Sequence, residues 1–201
     1  MGALLNWLNA TKQSSERYTC GHCGAPLASE LGYSAQVLNT PHTGAHIYIC
    51  HFCTRPSFFD ADGKQYPGHA FGGSVAGIPE KDKHVGDLYE EARRCTSAAS
   101  YTGAVLCCRK LLMHIAVSKG AEAGGSFAEY VKYLSDHHYV PPDATGWVDH
   151  IRNKGNEANH DIVIMSKEEA EELVLFCEML LKVIYEFPEA ARRRTGVPTT
   201  P

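Results

Sequence analysis

Two pairs of cysteines, each with two residues between them, constrain the fold of this chain more than any other feature. Cys20 and Cys23 form the first pair, and Cys50 and Cys53 form the second. Each pair places two thiolates on one tight turn, so that one metal ion can bridge both turns in a tetrahedral four-sulfur site. Such a site leaves no coordination position open, which predicts a structural role. We expect so short a module to need the metal, because alone it buries too little surface to fold.

The segment between the pairs favours β-structure. Apolar side chains alternate in residues 32–38 and again in residues 46–50, which is the period of a strand. With the cysteine pairs this resembles a zinc ribbon over residues 18–61, and we expect Zn²⁺ as its structural cofactor. A redox function is an alternative that two matched pairs disfavour. Substitution of one sulfur by a histidine is another, and the candidates are His22, His42, His46 and His51.

Composition indicates the compartment of the protein and excludes some classes of partner. Four further cysteines lie in apolar helical patterns and are predicted to be buried thiols: Cys95, Cys107, Cys108 and Cys177. That division fits a reducing cytoplasm with bound metal better than a disulfide framework. The net charge of −4 argues against a general nucleic-acid coat. No apolar run approaches membrane-spanning length and no signal peptide is evident, so we expect a cytoplasmic protein without a membrane partner.

The remainder of the chain has helical periodicity. Two capping boxes, Ser126 to Glu129 and Ser166 to Glu169, predict helix starts, and Pro188 predicts the end of the last helix. We therefore predict a mainly α chain, in which a small β zinc ribbon precedes a five-helix bundle. The predicted segments are a partly helical N-terminal segment 1–17, the ribbon 18–61, a Gly- and Pro-rich linker 62–81, the bundle 82–188 and a disordered tail 189–201.

One stretch of the predicted fourth helix carries an unusual polar group. At helical spacing Arg152, Asn156 and His160 fall within about 100° of one another, opposite an apolar side. Three Asn and a Gly in this stretch each cost a helix roughly 0.5 to 1 kcal/mol against Ala, so we interpret it as a working site. The alternative is a weak solvated helix face, or a helix that ends near Gly155.

The helical part resembles a bacterial domain-of-unknown-function family found in defence genes and attached to restriction-enzyme subunits. A zinc ribbon also precedes the domain in that family. The wider resemblance is to HEPN proteins, which are all-helical domains that often dimerise, so we expect a HEPN-like bundle and a homodimer. The residues that carry the resemblance are 88–92, the apolar run 104–109 into Arg109, Ile151-Arg152, Gly155-Asn156, His160 and the closing helix 169–187.

The resemblance implies a chemistry for the polar stretch. Catalytic HEPN members carry an Arg followed by a His and cleave RNA without metal. Carried over, His160 is the general acid or base, Arg152 stabilises the transition state, and Asn156 orients the phosphate or the imidazole. Seven residues separate Arg152 from His160, one more than is usual, and Met113 stands where relatives often place an acid. The first hypothesis is therefore a defence-associated, metal-independent endoribonuclease.

Two further hypotheses use the same residues. In the second, the Arg-Asn-His face is a non-catalytic surface for nucleic acid, a nucleotide or a protein partner of a defence or restriction system, with the ribbon as another contact surface. The acidity of the chain and the seven-residue spacing favour it. In the third, His160 and Asn156 only fasten the fourth helix to the second through Arg109 or Glu91.

Overall fold

The structure is a computed structural model, and it describes residues 4–144, 146–151 and 164–196. The chain forms two compact units. The ribbon unit comprises Met1–Ala70 with Ser97–Ala99, and the helical unit comprises Phe71–Thr96 with Ser100–Pro201. Within the described ranges, no helix is long and apolar enough to cross a membrane.

The predicted fold class, a mainly α chain with a five-helix HEPN-like bundle, is wrong. A five-stranded antiparallel sheet accounts for 18% and helices for 47% of the described residues, so the chain is mixed α and β. The sequence pattern missed the outer strands for a physical reason. Along Thr11–Thr19 only Tyr18 is buried, and an edge strand that buries so little leaves no apolar alternation to read.

The sheet of the ribbon unit is a simple meander in which each strand pairs with the next along the chain. Tyr18 lies opposite Leu27, and Ile49 lies opposite Pro56. Alternate turns of a meander lie at the same end of the sheet, so the β1–β2 and β3–β4 turns lie close together. The strands are β1 (Thr11–Thr19), β2 (Pro26–Gln36), β3 (Thr43–Ile49), β4 (Pro56–Phe59) and β5 (Gln65–Tyr66).

Aromatic side chains form most of the small core of the ribbon unit. The rings of Tyr18 and Phe59 meet edge to face, with centroids 5.2 Å apart, and the Tyr48 ring lies 5.6 Å from Phe59. Leu27, Cys20 and Cys50 complete the buried cluster. A core of this size supplies little stability by itself.

The helical unit has its core around one central helix. The α2 helix packs against α3 and α4, and Leu111, Leu112 and Ile115 on α2 are fully buried. A π-helical segment, Lys182–Glu186, joins the last two helices, and residues 146–151 are also helical. The helices are α1 (Lys83–Ser97), α2 (Tyr101–Ser118), α3 (Phe127–Asp136), α4 (Lys167–Leu181) and α5 (Phe187–Thr195).

Two terminal segments differ from the sequence prediction. Residues 4–10 contain no helix. The helical path does not end at Pro188, which lies in the first turn of α5, just after the π-helical segment Lys182–Glu186. Residues 189–195 of the predicted disordered tail are therefore helical, and Gly196, with φ 67°, follows them as the C-cap.

The segment that opens the helical unit was predicted to be part of a linker, but polar side chains hold its backbone. Arg93 donates to the carbonyl oxygens of Phe71 and Gly72, at 3.2 and 2.7 Å. The Gly73 N–H donates to the Glu178 carboxylate at 2.8 Å. Gly72 has φ 78°, and a Cβ there would lie 3.0 Å from the Glu178 carboxylate and from the Tyr89 hydroxyl. This position therefore requires glycine.

The capping boxes give a stability prediction. The Ser166 hydroxyl accepts the Glu169 N–H at 3.2 Å, so Ser166→Ala leaves that donor without its cap and should lower the free energy of unfolding by about 1 kcal/mol. The matched control is Ser135→Ala in the last turn of α3, where alanine is the better helix former. Urea unfolding measures both, and an unchanged midpoint for Ser166→Ala would contradict the prediction.

Candidate metal centre

The four cysteines of the two pairs come together at one end of the sheet. Their sulfur atoms all lie within 4.8 Å of one another. Cys20 Sγ lies 3.7 Å from Cys53 Sγ, and Cys23 Sγ lies 3.8 Å from Cys50 Sγ. Four sulfurs at about 2.3 Å from a central zinc ion are separated by about 3.8 Å along the edges of the tetrahedron. A disulfide needs about 2.05 Å. The four thiols therefore fit the ligand set of one metal ion.

The backbone folds both turns in the same way. The Gly24 N–H donates to the Cys20 carbonyl at 2.8 Å, and the Thr54 N–H donates to the Cys50 carbonyl at the same distance. Gly24 and Thr54 both lie in the left-handed region, with φ 71° and 56°. Because each turn connects two paired strands, the sheet fixes where the two turns lie. The repeated turn then aims two sulfurs from each hairpin at one point.

Thr54 is the unexpected residue of the second turn. A β-branched residue in the left-handed region costs about 1–2 kcal/mol. Its hydroxyl donates to the Cys53 carbonyl at 2.8 Å and accepts the Leu5 N–H at 2.8 Å. Its carbonyl accepts the Trp7 indole N–H at 2.6 Å. Thr54 therefore fastens the N-terminal segment to the turn that carries Cys50 and Cys53. The only sequence signal was its position after the second cysteine, which Gly24 occupies in the first turn.

Burial and hydrogen bonds shift the pKa values of the cysteine thiols in opposite directions. Cys20 and Cys50 are fully buried, and burial raises the pKa of the Cys20 thiol to about 12. Burial also opposes ionisation of Cys50, but hydrogen bonds from the N–H groups of Cys53 and Phe52, together with those from the Cys53 and Cys20 thiols, outweigh it and lower the pKa of that thiol. Backbone donors thus stabilise a thiolate within the site. A bound cation deprotonates its thiol ligands outright, so we expect metal binding to release protons.

The histidines that were alternative ligands make other contacts. His22 bonds through Nε2 to the Pro56 carbonyl at 2.9 Å, His46 stacks on Tyr48, and His51 lies against Phe52. His42 is exposed in the turn between β2 and β3. Over the part of the chain that the structure describes, the four cysteines are the one group of three or more such side chains close enough to share a metal ion.

The predicted catalytic residues Arg152, Asn156 and His160 lie outside the described residues, which stop at Ile151 and resume at Ile164. The apolar residues before them are inside the helical unit: Val148 is buried and the Trp147 indole N–H donates to Glu172 at 3.1 Å. Arg109 lies over the Phe127 ring, 4.6 Å from its centroid.

The comparisons with known proteins bear on the helical unit. The family described as "Domain of unknown function (DUF4145)" matches residues 90–195, more than half of the chain. The chain therefore belongs to this family. No curated protein and no solved structure matches it.

The geometry predicts the effect of removing one sulfur. Cys20→Ser replaces a fully buried ligand and should abolish metal binding and destabilise the ribbon unit, because the metal connects its two hairpins. The control is Cys107→Ser, a half-buried thiol on α2 outside the cluster. Plasma mass spectrometry reports the metal content, and limited proteolysis of residues 11–66 reports the loss of stability. Equal metal content in Cys20→Ser and the wild type would contradict this assignment of the ligands.

Proposed function

We propose that this DUF4145 protein is a non-catalytic binding protein, in which Cys20, Cys23, Cys50 and Cys53 hold one structural Zn²⁺ and the ribbon unit presents a surface to a protein partner. The observation that carries the zinc assignment is the spacing of the sulfurs, 3.7 and 3.8 Å, which is the edge of a zinc–thiolate tetrahedron. Four soft thiolates favour zinc over the hard cations Mg²⁺ and Ca²⁺. Because all four positions are filled by protein, a water molecule has no place to bind and react.

The surface of the ribbon unit supports the binding function. A groove of about 350 Å³, which we call the ribbon groove, is lined by Leu5, Trp7, Leu31, His51 and Thr54, among others. Leu5 is 52% and Leu31 is 48% exposed. Phe52 is 59% exposed, and its ring centroid lies 4.4 Å from that of His51, which lines this groove. Exposed apolar side chains that cluster in this way are typical of protein-binding surfaces.

Charge favours a protein over nucleic acid as the partner. The ribbon unit carries equal numbers of basic and acidic side chains, and the whole chain has a net charge of −4. Affinity for nucleic acid depends chiefly on basic side chains at phosphates, and this unit has no excess of them. The charged residues are Lys12, Arg17, Arg55 and Lys64, against Glu16, Glu30, Asp60 and Asp62.

A pair of groove substitutions tests the binding surface. Leu5→Ser with Leu31→Ser removes two apolar contacts and should abolish capture of the partner by the tagged full-length chain. Metal content should not change, because neither residue is a ligand. Leu38→Ser is the control, since Leu38 is 85% exposed in the β2–β3 turn, outside the groove. Partner capture that survives the groove substitutions, or is lost equally with Leu38→Ser, would contradict the proposal.

Cleavage of RNA is the second candidate, and it rests on the HEPN resemblance. Arg152, Asn156 and His160 fall within residues 90–195, the part of the chain that matches the family. In this proposal His160 moves the proton of the 2′-hydroxyl or of the leaving oxygen, and Arg152 neutralises charge on the phosphate. A homodimer brings two such groups to one cleft.

This candidate has its own test. Wild-type protein is incubated with a mixed RNA pool in EDTA, beside His160→Ala and the control His69→Ala. The ribonuclease proposal expects cleavage by the wild type and by His69→Ala, but none by His160→Ala at an unchanged melting temperature. Equal cleavage by all three would overturn the proposed mechanism. No cleavage, with a lowered melting temperature for His160→Ala, would instead support a structural function of the histidine.

A further inference from the structure

The helical unit contains a pair of adjacent histidines that shares no residue with the cysteine site. His84 lies at the start of α1 and His114 near the end of α2. Their Nε2 atoms are 3.1 Å apart, and the ring centroids are 4.9 Å apart at an interplanar angle of 83°. Both side chains are exposed. We propose that His84 and His114 form a surface site for a transition-metal dication, bound through both Nε2 atoms.

The distance between the two nitrogens fits a shared ion. With metal–nitrogen bonds of about 2.0–2.1 Å, two neighbouring ligands are about 2.9 Å apart in octahedral and about 3.3 Å apart in tetrahedral geometry. The observed 3.1 Å lies between these values. Small rotations of the two side chains therefore suffice to aim both lone pairs at one ion, and the helices need not move.

The hydrogen bond between the two rings and the proposed metal site use the same two Nε2 atoms. In the contact, one imidazole donates its Nε2–H to the lone pair of the other. An ion between the rings takes the place of that proton and uses both lone pairs, and each ring then carries its hydrogen on Nδ1. Because both residues are exposed, water can fill the other coordination positions. The site is therefore open, unlike the four-cysteine site.

The ligands select the class of metal. Imidazole nitrogen suits Zn²⁺, Ni²⁺ and Cu²⁺, whereas Mg²⁺ and Ca²⁺ prefer oxygen ligands. Asp87, exposed one turn after His84, places a carboxylate on the same face of α1. Lys110, one turn before His114, carries the opposite charge. Among the described residues no third ligand side chain lies close enough to share the ion, so affinity depends chiefly on the two nitrogens, and we expect weaker binding than at four thiolates.

Nickel binding by the full-length, zinc-loaded protein tests the site. The protein is dialysed against increasing Ni²⁺, and nickel and zinc are counted per chain by plasma mass spectrometry. The wild type should bind one nickel in addition to the zinc of the ribbon unit. His84→Gln and His114→Gln should each weaken nickel binding by at least about tenfold, since even the outer-shell partners of a metal ligand contribute that much. The control His69→Gln, at an exposed histidine of the ribbon unit, should bind nickel like the wild type.

The outcomes separate this site from the proposed function. Equal nickel binding by the wild type and both variants, or a loss in only one of them, would overturn the two-histidine site. If the protein lacks zinc but still binds nickel through the two histidines, the zinc assignment is overturned and the two-histidine site is not. Pulsed electron paramagnetic resonance of wild-type protein with substoichiometric Cu²⁺ needs no variant. Two coordinated imidazoles are expected, and none or one would contradict the site.

Discussion

The convergence of four sulfurs between two hairpin turns is the constraint on which the ribbon unit depends. The sheet brings the turns to one end, and the left-handed backbone at Gly24 and Thr54 aims the sulfurs inward. In the absence of metal, burial holds the pKa of the Cys20 thiol at about 12, and the aromatic core around Phe59 is small. A shared cation would convert these thiols into ligands and connect both hairpins.

The ribbon groove also depends on the position of the cysteine turns. Thr54 connects the turn that carries Cys50 and Cys53 to Leu5 and Trp7, and both of these residues line the groove. Loss of the turn would therefore release one wall of the surface that we propose for partner binding. In this account the metal acts on binding through the position of the N-terminal segment and has no part in chemistry. The histidine pair of the helical unit would be independent of it.

The sequence predicted those features that depend on local chemistry. The cysteine spacing predicted four sulfurs that lie within 4.8 Å of one another and could share a metal ion. The capping boxes placed the starts of α3 and α4 correctly. Both signals lie within a few residues. Features without a local sequence signal were missed. β1 buries only Tyr18, and the Gly73 N–H bonds to Glu178, which lies 105 residues further along the chain. Pro188 was misread because a proline in the first turn of a helix and one that ends a helix look alike in sequence. The predicted fold class was wrong because strands such as β1, which lack apolar alternation, were missed and the sheet was underestimated.

X-ray absorption at the zinc edge of the purified full-length protein identifies the ligands of the four-cysteine site. We expect one zinc per chain, surrounded by four sulfur atoms at about 2.3 Å and no nitrogen or oxygen neighbour. One or more nitrogen neighbours at about 2.0 Å would show that a histidine replaces a cysteine. The absence of zinc from protein purified without chelator would show that the four cysteines do not form a structural zinc site.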